Sequence, residues 1–300
     1  MLLAALGGNL AVAAVKFVAF ALTRSSAMLS EAVHSLVDTA DQLLLLLGQR
    51  RARRPADEGH PFGFGMEMYF WSFVVALLIF FVGGAAAVWQ GIDKVLHPIE
   101  VQRPLVSFGV LAACAVFEGF SFRTAYREYR NVVGKADVSV LRFIRLSKDP
   151  GVFTTLMEDG AALAGLGLAA LGIAGARFLH LPWADGAASM AIGLLLLVVA
   201  GLLANETRSL IAGEAAAPSI QRRIRDAAQA AVEPGRLRRA TSLQLGPGAI
   251  LVFLSLDLPP DLTLAQVQAL AAKAVSQVKA VDPRILDVVF GGFGPAPEAG

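Results

Sequence analysis

Ionisable side chains inside strongly apolar stretches are the first chemistry this sequence offers. Between Ala27 and Leu47 an otherwise apolar run carries Glu31, His34, Asp38 and Asp41. Such a group deep in a bilayer costs ~2.5–3.5 kcal/mol even on lenient scales, so its presence asks for a use. Glu31, His34 and Asp38 fall at i, i+3 and i+7 and share one face of a helix. His34 and Asp38, four residues apart, can reach the same cation, and an imidazole nitrogen beside a carboxylate oxygen suits zinc. The plainer reading is a polar seam between packed helices, with His34 hydrogen-bonded to a neighbour.

A second group lies in Thr154-Thr155-Leu156-Met157-Glu158-Asp159-Gly160. Adjacent helical residues point ~100° apart, so Glu158 and Asp159 cannot face one ligand equally. One can serve a cation and the other a neighbouring helix or a gate. Alternatively, both cap a helix start near Asp149-Pro150. Asn9 is either a neutral ligand or a helix–helix hydrogen bond. Asp57 and His60, three apart in a Gly/Pro-rich loop, form a weak second candidate for metal; the bland alternative is a solvated turn with Phe62 docked beside it.

These residues need elements to position them, and the composition says which. Apolar types make up 56 % of the 300 residues and charged types 17 %, against about 45–50 % and 25 % in soluble domains. That excludes a disordered chain, a disulfide scaffold and a nucleic-acid arm, and makes an integral membrane protein the expectation. The net charge of +2 predicts no nucleic-acid partner, and the single cysteine, Cys114, cannot form an internal disulfide.

A spanning helix needs ~20 apolar residues. Six runs qualify: Leu2–Leu22, Ala27–Leu47, Tyr69–Ile92, Leu105–Ala125, Val152–Arg177 and Trp183–Asn205. The first lacks a basic leader and reads as a span, not a cleaved signal. Arg50, Arg51, Arg53 and Arg54 fill the second connection. Arg123, Arg127, Arg130, Lys135, Arg142, Arg145 and Lys148 belong to the fourth. The other side carries Arg24, Lys94, Arg103 and Arg177. The positive-inside rule puts the second and fourth connections, and both termini, in the cytoplasm.

Beyond residue 206 the pattern turns soluble. A helix over Pro218–Val232, strands over Ala240–Leu245 and Ile250–Leu258, a helix over Thr263–Lys279 and a strand over Ile285–Phe290 give the order α-β-β-α-β. The expected division is a six-helix transmembrane domain at 1–206, a small ferredoxin-like α+β domain at 207–292 and a disordered tail at 293–300.

Ser30-Glu31-Ala32-Val33-His34-Ser35-Leu36-Val37-Asp38, His60-Pro61-Phe62-Gly63-Phe64-Gly65 and Tyr69-Phe70-Trp71-Ser72-Phe73, with the C-terminal α+β domain, resemble the cation diffusion facilitator family over nearly the whole chain. The resemblance implies a homodimer that exports a divalent cation, zinc foremost, in exchange for protons. It implies a tetrahedral site with two ligands from the second span and two from the fifth. His34, Asp38 and Asp159 match three of them. The fourth position, usually His or Asp, is Thr155, leaving Thr155, Glu158 or water to complete the shell. Asp57 and His60 match two ligands of the family's loop site, but Phe64 replaces a further His. Met66 stands where many relatives carry a basic residue. The four histidines are His34, His60, His97 and His180. None lies in the soluble domain, which is expected to serve dimerisation rather than His-based metal sensing.

Metal binding needs neutral His34 and ionised Asp38 and Asp159, so protons compete with cargo at one site exposed alternately to each side. Manganese, iron or cobalt on the same fold is the alternative cargo; Thr155 and Phe64 also admit a transport-inactive membrane scaffold. An enzyme is not expected: there is no nucleophile–base pair, phosphate loop or Cys cluster, and no resident cofactor is implied. The expected location is a bacterial inner membrane.

Overall fold

A computed structural model describes residues 2–98, 103–133, 139–233 and 235–293. The chain begins with α1 (Leu2–Thr23), α2 (Ser26–Ala52) and α3 (Glu67–Leu78); α3 continues through a π-helical segment, Ile79–Ala85, into α4 (Ala86–Leu96). Then come α5 (Pro104–Val133), a short α6 (Val140–Leu146), α7 (Pro150–Phe178) and α8 (Ala184–Ile211). The apolar periodicity announces neither α6 nor the π-helical segment.

Four helical stretches are long and apolar enough to cross a membrane: Glu67–Leu96, Pro104–Asn131, Pro150–Phe178 and Ala184–Ile211. The other two expected runs are helical as well. Among the described residues the first yields the shorter apolar stretch Asn9–Thr23. The second, α2, carries Glu31, His34, Asp38 and Asp41, and these polar groups dilute its apolar signal.

Local chemistry sets the helix starts. Asp149 caps α7 by accepting the Gly151 amide at 3.0 Å, with Pro150 at the first helical position. Glu158 and Asp159 therefore lie more than two turns inside α7, and the alternative that they cap its start is wrong. Ser25 caps α2 by accepting the Met28 amide at 3.2 Å. A second cap comes from α8. The buried Asp185 carboxylate accepts the Ser26 amide at 2.6 Å and the Ser26 hydroxyl at 2.9 Å, and also takes the Ser25 hydroxyl.

Close backbone approach holds α8 against α4 and the π-helical segment. A Cβ on Gly193 would come within 2.6 Å of the Val88 nitrogen and 2.7 Å of the Gly84 oxygen. Small residues at such crossings are the usual device of membrane-type packing, where dispersion replaces the hydrophobic drive. Tyr69, Phe153, Ile173, Ile192, Leu196 and Leu203 fill the helical core.

The C-terminal part contains α9 (Pro218–Ala231), β1 (Arg236–Gly246), β2 (Ala249–Asp257), α10 (Leu264–Lys279) and β3 (Ile285–Phe293). Their order is the expected α-β-β-α-β. β1 starts at Arg236 rather than Ala240 because its register runs out to the Arg236–Asp257 pair. β1 and β2 form an antiparallel hairpin, whereas β3 pairs parallel with β2, giving the sheet order β1-β2-β3. The parallel pairing requires a crossover, which α10 supplies from a capping box of Thr263 and Gln266. Ile224, Ile250, Val252, Leu254, Leu256 and Val278 form its core, separate from the helical one. Of the tail expected to be disordered, residues 294–300 lie outside the described residues.

Candidate cation site

The acids of α2 and α7 meet at a small polar cavity bounded by four helices. Asp38 and Ser35 line it from α2, and Thr155, Glu158 and Asp159 from α7. Asn9 contributes from α1, and Glu118 and Ser121 from α5. Helical spacing explains the α2 side: Ser35, Asp38 and Gln42 repeat at three and four residues and face the same way.

His34 is buried beside Asp38, its Nδ1 3.3 Å from Asp38 Oδ1. Neither ring nitrogen of His34 makes a well-formed hydrogen bond, and Asp38 Oδ1 and Glu158 Oε1 are likewise buried without one. Buried polar atoms in this condition are rare and costly, at roughly 1–3 kcal/mol each. Of these residues Asp38 and Glu158 line the cavity, and His34 lies behind Asp38. Asp159 is better satisfied, accepting the Ser121 hydroxyl at 2.7 Å. The Thr155 hydroxyl is turned to its own helix, donating to the Gly151 carbonyl at 2.9 Å.

The structure thus brings together Asp38, Thr155, Glu158, Asp159 and Asn9, with His34 adjoining through Asp38. Among the described residues no three His, Cys, Asp or Glu side chains already surround a common point closely enough to hold a metal ion.

Glu31 faces elsewhere. It is fully buried and pairs with the equally buried Lys16 of α1, whose Nζ lies 3.2 Å from Glu31 Oε2 and 2.6 Å from Ser35 Oγ. Lys16 also stands 3.7 Å from Glu118 Oε1. The sequence reading passed over the Glu118 carboxylate, although a charge in the run Leu105–Ala125 is the same signal that drew attention to α2. Asp41, on α2, is buried with neither oxygen hydrogen-bonded.

Asp57 and His60 sit in an exposed turn. The Asp57 carboxylate accepts the His60 amide at 2.7 Å and approaches the His60 ring at 3.2 Å. Slight desolvation opposes these contacts, but they hold the Asp57 carboxyl below its usual range. The His60 ring packs on Phe64, with centroids 4.1 Å apart. The docked aromatic of this turn is thus Phe64, while Phe62 is largely exposed. A cleft of about 880 Å³ lies between this loop and the Gly246–Ala249 turn, away from the acids of α2 and α7.

The cation efflux transmembrane domain model matches residues 2–212. The proton-coupled zinc antiporter SLC30A9, mitochondrial, of Xenopus laevis is 35 % identical over 208 residues, which are 69 % of this chain and 37 % of that protein. Metal tolerance protein C4 of Arabidopsis thaliana is 30 % identical over 211 residues, 70 % of this chain and 46 % of that one. The magnetosome protein MamM of Magnetospirillum gryphiswaldense is 27 % identical over 210 residues, 68 % and 60 % of the two chains. This chain therefore spans less than half the length of the antiporter and the tolerance protein.

Proposed function

The chain belongs to the cation diffusion facilitator family, and from that premise we propose that it exchanges a divalent metal cation, zinc foremost, for protons across a membrane. One observation carries this reading: Asp38 and Glu158 leave buried oxygens without hydrogen bonds on a cavity wall that Asp159 also lines, and the ring of His34, beside Asp38, is buried in the same condition. The relatives named as a zinc antiporter and a metal tolerance protein support the same cargo class.

In this proposal α1, α2, α3 with α4, α5, α7 and α8 make six spans. Asp38 and Asp159 are ligands from the second and fifth, with His34 joining them by a small rotation about its side chain. The basic connections place the Arg50–His60 loop and the sheet domain in the cytoplasm. The sheet domain, read as ferredoxin-like, joins two copies of the chain. The membrane, in this proposal, is a bacterial inner membrane.

Exchange follows from competition. An incoming cation displaces protons from the carboxyl groups and imidazole, and protons arriving from the other side displace the cation. A harder cargo such as manganese is the second reading. It is favoured by the cavity wall itself, where Asp38, Thr155, Glu158 and Asp159 offer oxygen while His34 stands behind Asp38. Purified protein in liposomes with a metal-sensitive dye inside, tested ion by ion across a pH gradient, decides between them. A protein that moves no divalent ion under any gradient refutes the transport reading.

A further inference from the structure

Lys16, Glu31 and Glu118 form a charged group next to the cavity that the transport reading leaves unused. Lys16 is wholly buried, and an ammonium in that position must be compensated. Glu31 at 3.2 Å and the Ser35 hydroxyl at 2.6 Å do this. The Glu31 carboxylate has a reserved place: its Oε1 lies where a Cβ on Gly165 would come within 2.3 Å. Lys16 and Glu31 thus neutralise each other as a fixed, desolvated pair.

Glu118 is the carboxylate left over. Its oxygen stands 3.7 Å from Lys16, beyond hydrogen-bond range, and its side chain retains 15 % exposure. It also lines the cavity shared with Asp38, Thr155 and Asp159. That cavity shows a need of its own. Glu158, only 7 % exposed, leaves Oε1 without a partner on the same wall. Thr155 donates its hydroxyl proton to the Gly151 carbonyl, so its oxygen offers the cavity only a neutral lone pair.

Resting on the transport reading, we propose that Glu118 is a further cation-site residue, turning from Lys16 into the cavity to complete the coordination of a divalent ion between Asp38 and Asp159. Lys16 acts as its positioning residue: it neutralises Glu31 but holds Glu118 only loosely, so one carboxylate remains movable. The site draws ligands from three helices, α2, α5 and α7, and its added oxygen ligand suits zinc and harder ions alike.

Equilibrium binding of zinc, and separately of manganese, to the purified full chain in lipid nanodiscs tests this. Glu118→Gln should weaken zinc binding by about tenfold or more, since even supporting groups around a metal are worth ~10–100-fold. Adding Thr155→His should restore affinity, because a nitrogen ligand from α7 then fills the vacancy. If Glu118→Gln binds like the unsubstituted chain while Asp38→Asn loses binding, this inference falls and the transport reading stands. If neither variant alters binding, both fall. A Glu118→Gln loss that Thr155→His does not rescue marks a structural role and also overturns the inference.

Discussion

Lys148 Nζ lies 2.9 Å from Glu214 Oε2, joining the entry to α7 with the linker that leaves α8. Both residues have second attachments through their backbones. The Lys148 carbonyl accepts the Tyr69 hydroxyl at 3.1 Å, and the Glu214 carbonyl accepts the Gln244 amide of β1 at 2.8 Å. Helices and sheet are therefore tied at one ion pair, its lysine buried and its glutamate one-third exposed. Lys148→Ala should lower stability by about 1–2 kcal/mol, between the value of an exposed ion pair and that of a buried hydrogen bond to a charged group, because Glu214 is partly exposed. Thermal unfolding of the purified protein checks it. Recovery in the charge-swapped pair Lys148→Glu with Glu214→Lys is expected, and its failure would show that the backbone contacts dominate.

Lys16→Met should be more damaging, because it strands Glu31 at full burial. Breaking a buried pair by removing one partner costs ~3–5 kcal/mol. Combining it with Glu31→Gln should recover most of that loss, since two neutral groups replace two charges. Melting temperatures of the two single variants and the double variant report the coupling. Additive losses would contradict the pairing.

Transport should separate the cavity from the loop. Asp38→Ala and Asp159→Ala should each reduce zinc uptake into liposomes by at least about tenfold. Asp57→Ala should be mild, because its exposed turn presents one carboxylate and one imidazole already engaged with each other. His34→Asp should shift preference toward manganese. Normal zinc transport by Asp38→Ala would remove the site assignment.

The architecture was legible where one period or one polar intruder dominated. The two hairpin strands, the Thr263-started helix and the polar face of α2 could be read from the residues because each depends on local spacing. What could not be read depends on partners distant in sequence. Lys16 finds Glu31 and Ser35 across a helix pair, and Glu118 reaches the cavity only through the packing of α5 on α7. The parallel pairing of β3 with β2 is likewise invisible from strand patterns, which fix faces but not neighbours. Hydropathy also fails at α2, where Glu31, His34, Asp38 and Asp41 interrupt the apolar run.

The sheet domain has its own pH signature. Arg284 donates from its side chain to both Asp282 oxygens at 2.9 Å, and its amide adds a third bond at 3.0 Å. The side-chain hydrogen bonds chiefly, outweighing a desolvation that pushes the other way, hold the Asp282 carboxyl below its usual range. The stabilisation is therefore present above the unfolded value, ~3.9, and is lost as pH falls through the lower folded value. Asp282→Asn should cost about 1–2 kcal/mol at pH 7. The gap from the unsubstituted chain should narrow below roughly pH 4, and a gap that is constant down to pH 2 would contradict the linkage.

Gly193→Ala tests the closest helix crossing. The added methyl meets the Val88 nitrogen and the Gly84 oxygen, both backbone atoms that cannot move aside cheaply. A loss of about 1–3 kcal/mol is expected, as for other overpacked sites. An unchanged melting temperature would show that α8 can shift on α4 without penalty.

The carboxylate of Asp185 caps α2 from 159 residues further along the chain. On a ribosome adding ~5–20 residues per second, α2 must wait roughly 8–30 s for that cap. Throughout this interval its N-terminus has the Ser25 hydroxyl but lacks the acceptor that takes the Ser26 amide. The N-terminus of α2 is thus left half-capped until α8 emerges, although Lys16 already ties α1 to α2 through Glu31 and Ser35. Nascent chains stopped before Asp185 should carry Ser25 and Ser26 without their carboxylate partner, so the order of synthesis leaves this helix start to be completed late.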